Sequence, residues 1–222
     1  MDQGNDSFSI TIPRTLLLLL TYIAICFGLP VTINMILQRT MDVGASVWVN
    51  TLVQIATNLL FFLTLAKLAQ YRISFMSHIT ATNFMLAVFT SLLLYCLLDH
   101  FFDPIFSKAF PTSEVQYQEM LQTMKLTPVA AFMQACLLAP ITEEILMRGY
   151  ILHGLSKKHG VLIGILLSTL LFAILHINIS QILSAFIGGL LIALLYMKTK
   201  SMSCCILAHI LYNSISFFST VL

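Results

Sequence analysis

Seven apolar stretches, at 15–37, 46–69, 83–102, 128–150, 160–177, 181–197 and 202–221, take up most of this 222-residue sequence. A bilayer core about 30 Å thick is crossed by ~20 apolar residues in a helix, so each stretch is long enough or nearly so. In hydrocarbon every backbone amide needs a partner within its own segment, which makes these stretches helices. Only 9% of the residues are charged and 59% are hydrophobic, whereas a soluble domain carries roughly 25% charged residues. The expected fold class is all-α: a polytopic transmembrane helix bundle of about seven spans, with the lipid bilayer as its first partner. The net charge of +2 is small and dispersed, which argues against a nucleic-acid partner.

Two parts are expected along the chain. Residues 1–127 hold about three spans and a connecting segment, and residues 128–222 hold about four spans and most of the unusual polar groups. In the connection, "PTSEVQYQEMLQTMKL" repeats Val, Leu and Met at helical spacing among polar residues, the pattern of a short interfacial helix. Segments 160–177 and 181–197 are separated only by "NISQ" and should form a tight helical hairpin. The start, "MDQGNDSFSITIPR", places two Asp before its first Arg, and the apolar run after it is too long for a cleaved signal. It reads as a retained first membrane helix. Cys26, Cys96, Cys136, Cys204 and Cys205 show no paired spacing and are expected to be packing residues. The pairs Gly160/Gly164 and Ala185/Gly189, four apart, should let helices approach closely.

Lys and Arg divide unequally between the two sides of a seven-span chain. Arg14, Lys67, Arg72, Lys157, Lys158, Lys198 and Lys200 fall on one side; Arg39, Lys108 and Lys125 fall on the other, with Asp42, Asp99, Asp103, Glu114 and Glu119. The side richer in Lys and Arg is cytoplasmic, which puts the N-terminus in the cytoplasm.

Ionisable groups inside membrane helices cost at least ~2.5 kcal/mol each on insertion scales and are candidates for function by default. His78, His100, His153 and His159 lie in or near loops and are expected to be solvated. His176 in "LLFAILHINIS" and His209 in "CCILAHILYNS" lie within apolar helices, and "TEEILMRG" adds Glu143, Glu144 and Arg148. Glu143 is fourteen residues before Lys157 and His176 sixteen after Gly160, on antiparallel helices joined by the basic turn "SKKHG". At a 1.5 Å rise both side chains sit about 21–24 Å from that turn and can face each other. His209 counts to a shallower level, ~13 Å from the same side, a gap that helix tilt could close. Glu144 and Arg148, at i and i+4 with the acid first, form a favourable helical ion pair. Glu143 points ~100° away and is free for another partner. Pro140 should kink the helix beside it. Phe172/His176 and His209/Asn213 repeat the i, i+4 spacing.

Glu143-Glu144-x-x-x-Arg148, Phe172-x-x-x-His176 and His209-x-x-x-Asn213 resemble, in order and setting, the three motifs of the CPBP family. These are the CAAX-processing and bacteriocin-processing proteases, also called Abi proteins or type II CAAX prenyl endopeptidases. The resemblance covers about residues 130–220. It implies an intramembrane endopeptidase of a bacterial cell membrane, acting on a peptide or membrane-protein substrate. Bacteriocin or pheromone processing and self-immunity are the settings it points to. The chain shows no sign of the extra helices of the eukaryotic and archaeal prenyl-protein enzymes, which leaves open whether its substrate is prenylated. By the resemblance, Glu143 and His176 hold and deprotonate a water, His209 and Asn213 stabilise the oxyanion, and Glu144, Arg148 and Phe172 support them. Glu143, His176 and His209 would also make an acceptable catalytic zinc set; the absence of an HExxH spacing favours a metal-free glutamate mechanism. Two other classes remain as alternatives, a non-catalytic immunity or interaction protein and a proton-coupled transporter. The transporter lacks an inverted repeat and a broken-helix pair.

Overall fold

The computed structural model describes residues 8–73, 75, 80–176 and 178–221; His78 lies outside them. Among these residues the chain forms eight helices: α1 (Ile12–Leu37), α2 (Val43–Ala69), α3 (Ala81–Ala109), α4 (Pro111–Leu126), α5 (Pro128–His159), α6 (Val161–Ile174), α7 (Ile179–Thr199) and α8 (Met202–Thr220). Six of them, all but α4 and α6, are long and apolar enough to cross a membrane. The seventh expected span is α6, which at fourteen residues is only about 21 Å long. The chain is a polytopic helical bundle, and α4 occupies the segment read as an interfacial helix.

Local chemistry sets the ends of these rods. Asp42 accepts from the Ala45 N–H at the start of α2, and Thr80 from the Asn83 N–H at the start of α3, each satisfying a donor that the first helical turn leaves open. Pro13, Pro111 and Pro128 stand in first turns, where a missing N–H costs nothing. Gly160 ends α5 at φ 92° with open space around it. It is a turn glycine chosen for its backbone angle, not the close-packing residue its spacing suggested. Gly164 and Gly189 do pack closely: a Cβ on the first would collide with Ser156, and one on the second with Phe172.

The three prolines inside spans share one device. Ahead of each, the helix widens into a π turn: Ile23–Gly28 before Pro30, Leu98–Phe102 before Pro104 and Met133–Leu138 before Pro140. In a regular helix the proline ring would strike the carbonyl four residues back, and a turn with one more residue relieves that clash. In each case the residue preceding the proline donates five residues back, Leu29 to Ala24, Asp103 to Leu98 and Ala139 to Gln134. A fourth π stretch, Ile145–Leu152, contains no proline and follows directly on the two glutamates.

Tyr22 of α1 and Phe61 of α2 pack into one core with Leu146, Met147 and Ile151 of α5 and Leu171 and Phe172 of α6. A second core joins Leu94 and Leu98 of α3 to Ile192 and Leu195 of α7 and Cys204, Cys205 and Ala208 of α8. Leu17, Leu60, Phe89 and Leu162 stand outward and exposed, a surface that lipid solvates and water would not. Hydroxyls along the spans, such as those of Thr21, Thr51 and Thr199, donate to carbonyls one turn back, so they bring no unsatisfied donor into hydrocarbon.

All five cysteines are free; four are buried and Cys96 is exposed. His153 departs from its expected loop: it lies within α5, its ring stacked 5.0 Å from that of Tyr71.

Candidate active site

Glu144 and Arg148 sit at the centre of the polar arrangement, with relative exposures of 0% and 1%. Arg148 Nε lies 3.2 Å from Glu144 Oε2, and Nη2 donates to the Gly189 carbonyl of α7 at 2.9 Å. The guanidinium stands 5.0 Å above the Phe172 ring, within cation–π range. The other oxygen, Glu144 Oε1, is 2.9 Å from His209 Nδ1. A carboxylate beside an arginine accepts, so Nδ1 is the donor, and Nε2 becomes the ring nitrogen left for other work. That nitrogen lies 3.9 Å from Glu143 Oε2. The level difference counted from sequence is thus closed by packing.

Glu143, His176, His209 and Asn213 line one cavity of about 360 Å³ together with Phe172. His176 differs from its expected place inside a helix. α6 ends at Ile174, so His176 lies in the link to α7, where its Nδ1 is 3.3 Å from the Phe172 carbonyl. A carbonyl can only accept, so here too Nδ1 is the donor and Nε2 is the ring nitrogen left for other work. Asn178 holds this link from both directions. Its Oδ1 accepts from the Ser180 and Gln181 N–H groups at the start of α7, and its Nδ2 donates to the Ser113 carbonyl of α4 at 2.6 Å. Asn213 donates Nδ2 to the Ala135 carbonyl at 2.8 Å.

Phe172 is the spacer of the site. Its ring meets His176 edge-on at 5.3 Å and His209 at 6.0 Å, under the guanidinium of Arg148. It reaches this place because Gly189 has no side chain: a Cβ there would come within 2.7 Å of Phe172 Cδ1. Gly189→Ala is therefore expected to cost about 1–3 kcal/mol, the range for overpacking. The check is thermal unfolding of the detergent-solubilised protein; a midpoint equal to the parent's rules this packing out.

Several groups at the cavity escaped the sequence reading. Asp103 accepts from Ser184 Oγ at 2.5 Å, and Tyr212, beside Asn213, donates to Asp99 Oδ1 at 3.0 Å. Asp103, Glu114 and Tyr212 line the cavity. Asp99 and Asp103 enter the sequence reading only as acids on one side of the membrane, whereas α3 continues through them to Ala109. No spacing within the sequence announces Asn178; Gly189 is marked by its spacing from Ala185, but only as a close-packing residue. Among the described residues no three His, Cys, Asp or Glu side chains stand close enough together to hold a metal ion.

Two imidazoles, a carboxylate and a carboxamide thus share one cavity in a bundle whose long apolar helices can cross a membrane. Comparison with known proteins adds to this. Residues 125–215 match the family described as type II CAAX prenyl endopeptidase Rce1-like, in agreement with the resemblance carried by the three motifs. An uncharacterized protein of Mycoplasma capricolum subsp. capricolum is 37% identical over 83 residues, 36% of this chain and 24% of that one. YdiL of Bacillus subtilis strain 168, provisionally named a membrane peptidase, is 29% identical over 97 residues, 44% of this chain and 39% of that one. The matches thus span about a quarter and two fifths of these relatives' own lengths. No solved structure matches at a comparable level. The family match falls on the part of the chain that carries the three motifs, and the six long apolar helices are those of an integral membrane protein.

Proposed function

We propose that this protein is an intramembrane endopeptidase in which Glu143 activates a water against a peptide carbonyl. The observation that carries the reading is the 3.9 Å separation of Glu143 Oε2 and His209 Nε2 on a cavity also lined by His176 and Asn213. That gap is too long for a hydrogen bond and suits an oxygen within reach of both atoms.

As the water oxygen attacks the carbonyl carbon, its proton passes to the Glu143 carboxylate. His176 holds the water through Nε2. The carbonyl oxygen becomes an oxyanion, which takes hydrogen bonds from His209 Nε2–H and from the second N–H of Asn213. A protonated His209 is a cation held against the Glu144 carboxylate, so its bond to the oxyanion is charge-assisted. When the carbon–nitrogen bond breaks, Glu143 returns the proton to the leaving amine. Oriented donors in a water-poor site are worth far more than the same groups in water.

The substrate is a peptide segment or a short membrane-associated peptide. Apolar residues such as Leu94, Met120, Met124 and Phe217 make up much of the cavity wall, and its lining includes Asp103 and Glu114 but neither Lys nor Arg. Such a wall suits an apolar segment with a neutral or basic flank. The cavity extends to the start of α7 and to α4, away from Lys157, Lys158 and Lys200. With the basic side cytoplasmic in a bacterial cell membrane, it opens on the far side.

Comparative peptidomics of membranes carrying the parent or Glu143→Gln tests the reading. Peptides found only with the parent are expected, and they name the substrate. Identical profiles would leave a non-catalytic immunity scaffold or a transporter in its place. In the metal-free mechanism proposed here, a chelator leaves the rate at which those peptides appear within about twofold; loss of activity restored by added zinc would overturn that part.

A further inference from the structure

We propose that Pro140 is a positioning residue for this site: by lacking an N–H, it leaves the Ala135 carbonyl open to Asn213 and so aims the carboxamide. The inference rests on the function proposed above and concerns a residue with no part in the chemistry itself.

In the π turn ahead of Pro140, hydrogen bonds run from a residue to the carbonyl five back. The last of them joins the Ala139 N–H to the Gln134 carbonyl. Its successor would join residue 140 to Ala135, and proline cannot donate it. Asn213 of α8 supplies the missing donor, its Nδ2 lying 2.8 Å from the Ala135 oxygen. The neighbouring Cys136 thiol donates in return to the Asn213 carbonyl at 3.5 Å, so α5 and α8 are tied in both directions at this level.

The bond settles the carboxamide. A carbonyl partner admits only the NH2 end, which fixes the flip of the amide. The group is planar, so once one N–H is spent on Ala135 the direction of the other is determined. Asn213 lines the cavity, and that second N–H is the donor the oxyanion needs. The proline here does more than bend a helix: it redirects a backbone acceptor to a side chain.

Pro140→Ala restores the N–H, which then competes with Asn213 for the Ala135 carbonyl. Two readouts follow it. The first is the side-chain NH2 resonance of Asn213, assigned by its loss in Asn213→Asp, in nitrogen-15 spectra of the detergent-solubilised protein. In Pro140→Ala this signal should shift and exchange at least tenfold faster with solvent. Pro30→Ala, which restores a donor at the same kind of turn in α1, should leave it in place. The second is the rate of appearance of the peptides that depend on Glu143. That rate should fall at least tenfold in Pro140→Ala, and Pro140→Ala/Asn213→Ala should be no slower than Asn213→Ala alone.

Pro140→Gly supplies the same N–H in a more pliable backbone and carries both measurements if the alanine variant fails to accumulate. An unmoved Asn213 signal, or rate losses that multiply in the double variant, overturns the inference. A moved signal in a protein that cleaves nothing upholds the positioning while overturning the function it was meant to serve.

Discussion

Arg148→Met is expected to destabilise the protein by about 3–5 kcal/mol, the range for removing one member of a buried ion pair. Met matches the arginine stem in length, so the loss is chiefly one of charge and hydrogen bonds. Without the guanidinium, Glu144 keeps a single partner, His209 Nδ1 at 2.9 Å, and its Oε2 is left in a site with no solvent exposure. The Gly189 carbonyl also loses its side-chain donor. Arg148→Lys should recover only part, because one ammonium cannot serve Glu144 and Gly189 at once while stacking on Phe172. Arg148→Met/Glu144→Leu should be more stable than Arg148→Met alone, since the uncompensated charge is gone. Reversible unfolding in mixed detergent measures all three. A change below about 1 kcal/mol for Arg148→Met would mean that the pair does not hold the core together.

Much of this arrangement was legible because membrane helices leave few choices. Charge is expensive in the bilayer, so the acids and imidazoles in apolar stretches stood out by position alone. Counting residues from the "SKKHG" turn put Glu143 and His176 at one depth. Other features were not legible, for physical reasons. A π turn is a response to a proline clash whose extent depends on neighbouring helices, so the link from Pro140 through Ala135 to Asn213 could not be read from residue types. His176 reads as helical because the apolar run 160–177 includes it, yet α6 ends at Ile174. Asn178 then begins α7 and, through Ser113, secures the link on which His176 lies. Asp103, in the last third of α3, and Tyr212, midway along α8, are ordinary polar residues, and only the packing of α3 and α7 beside α8 brings them to the cavity.

The largest effect on activity is expected from Glu143→Gln, a fall of about 10²–10⁴-fold, the usual contribution of a general base. The amide is nearly isosteric and keeps an acceptor oxygen, so substrate can still bind; what it lacks is the capacity to take a proton from water and return it to the amine. Stability should be unchanged or higher, because the variant removes a buried carboxylate whose nearest charged partner is 3.9 Å away and which therefore bears an incompletely compensated desolvation cost. Glu144→Gln should behave differently. Its carboxylate holds both Arg148 and His209, so that variant should lose stability and orientation of the imidazole together. The two adjacent glutamates are thus separable by experiment, one costing rate alone and the other costing the fold first. Purified protein acting on a peptide identified in the membrane comparison provides the rate, and unfolding of the same samples provides the stability. If Glu143→Gln turns over within tenfold of the parent, the water is activated by some other group, and Glu143 belongs with Glu144 among the residues that only hold the helices in place.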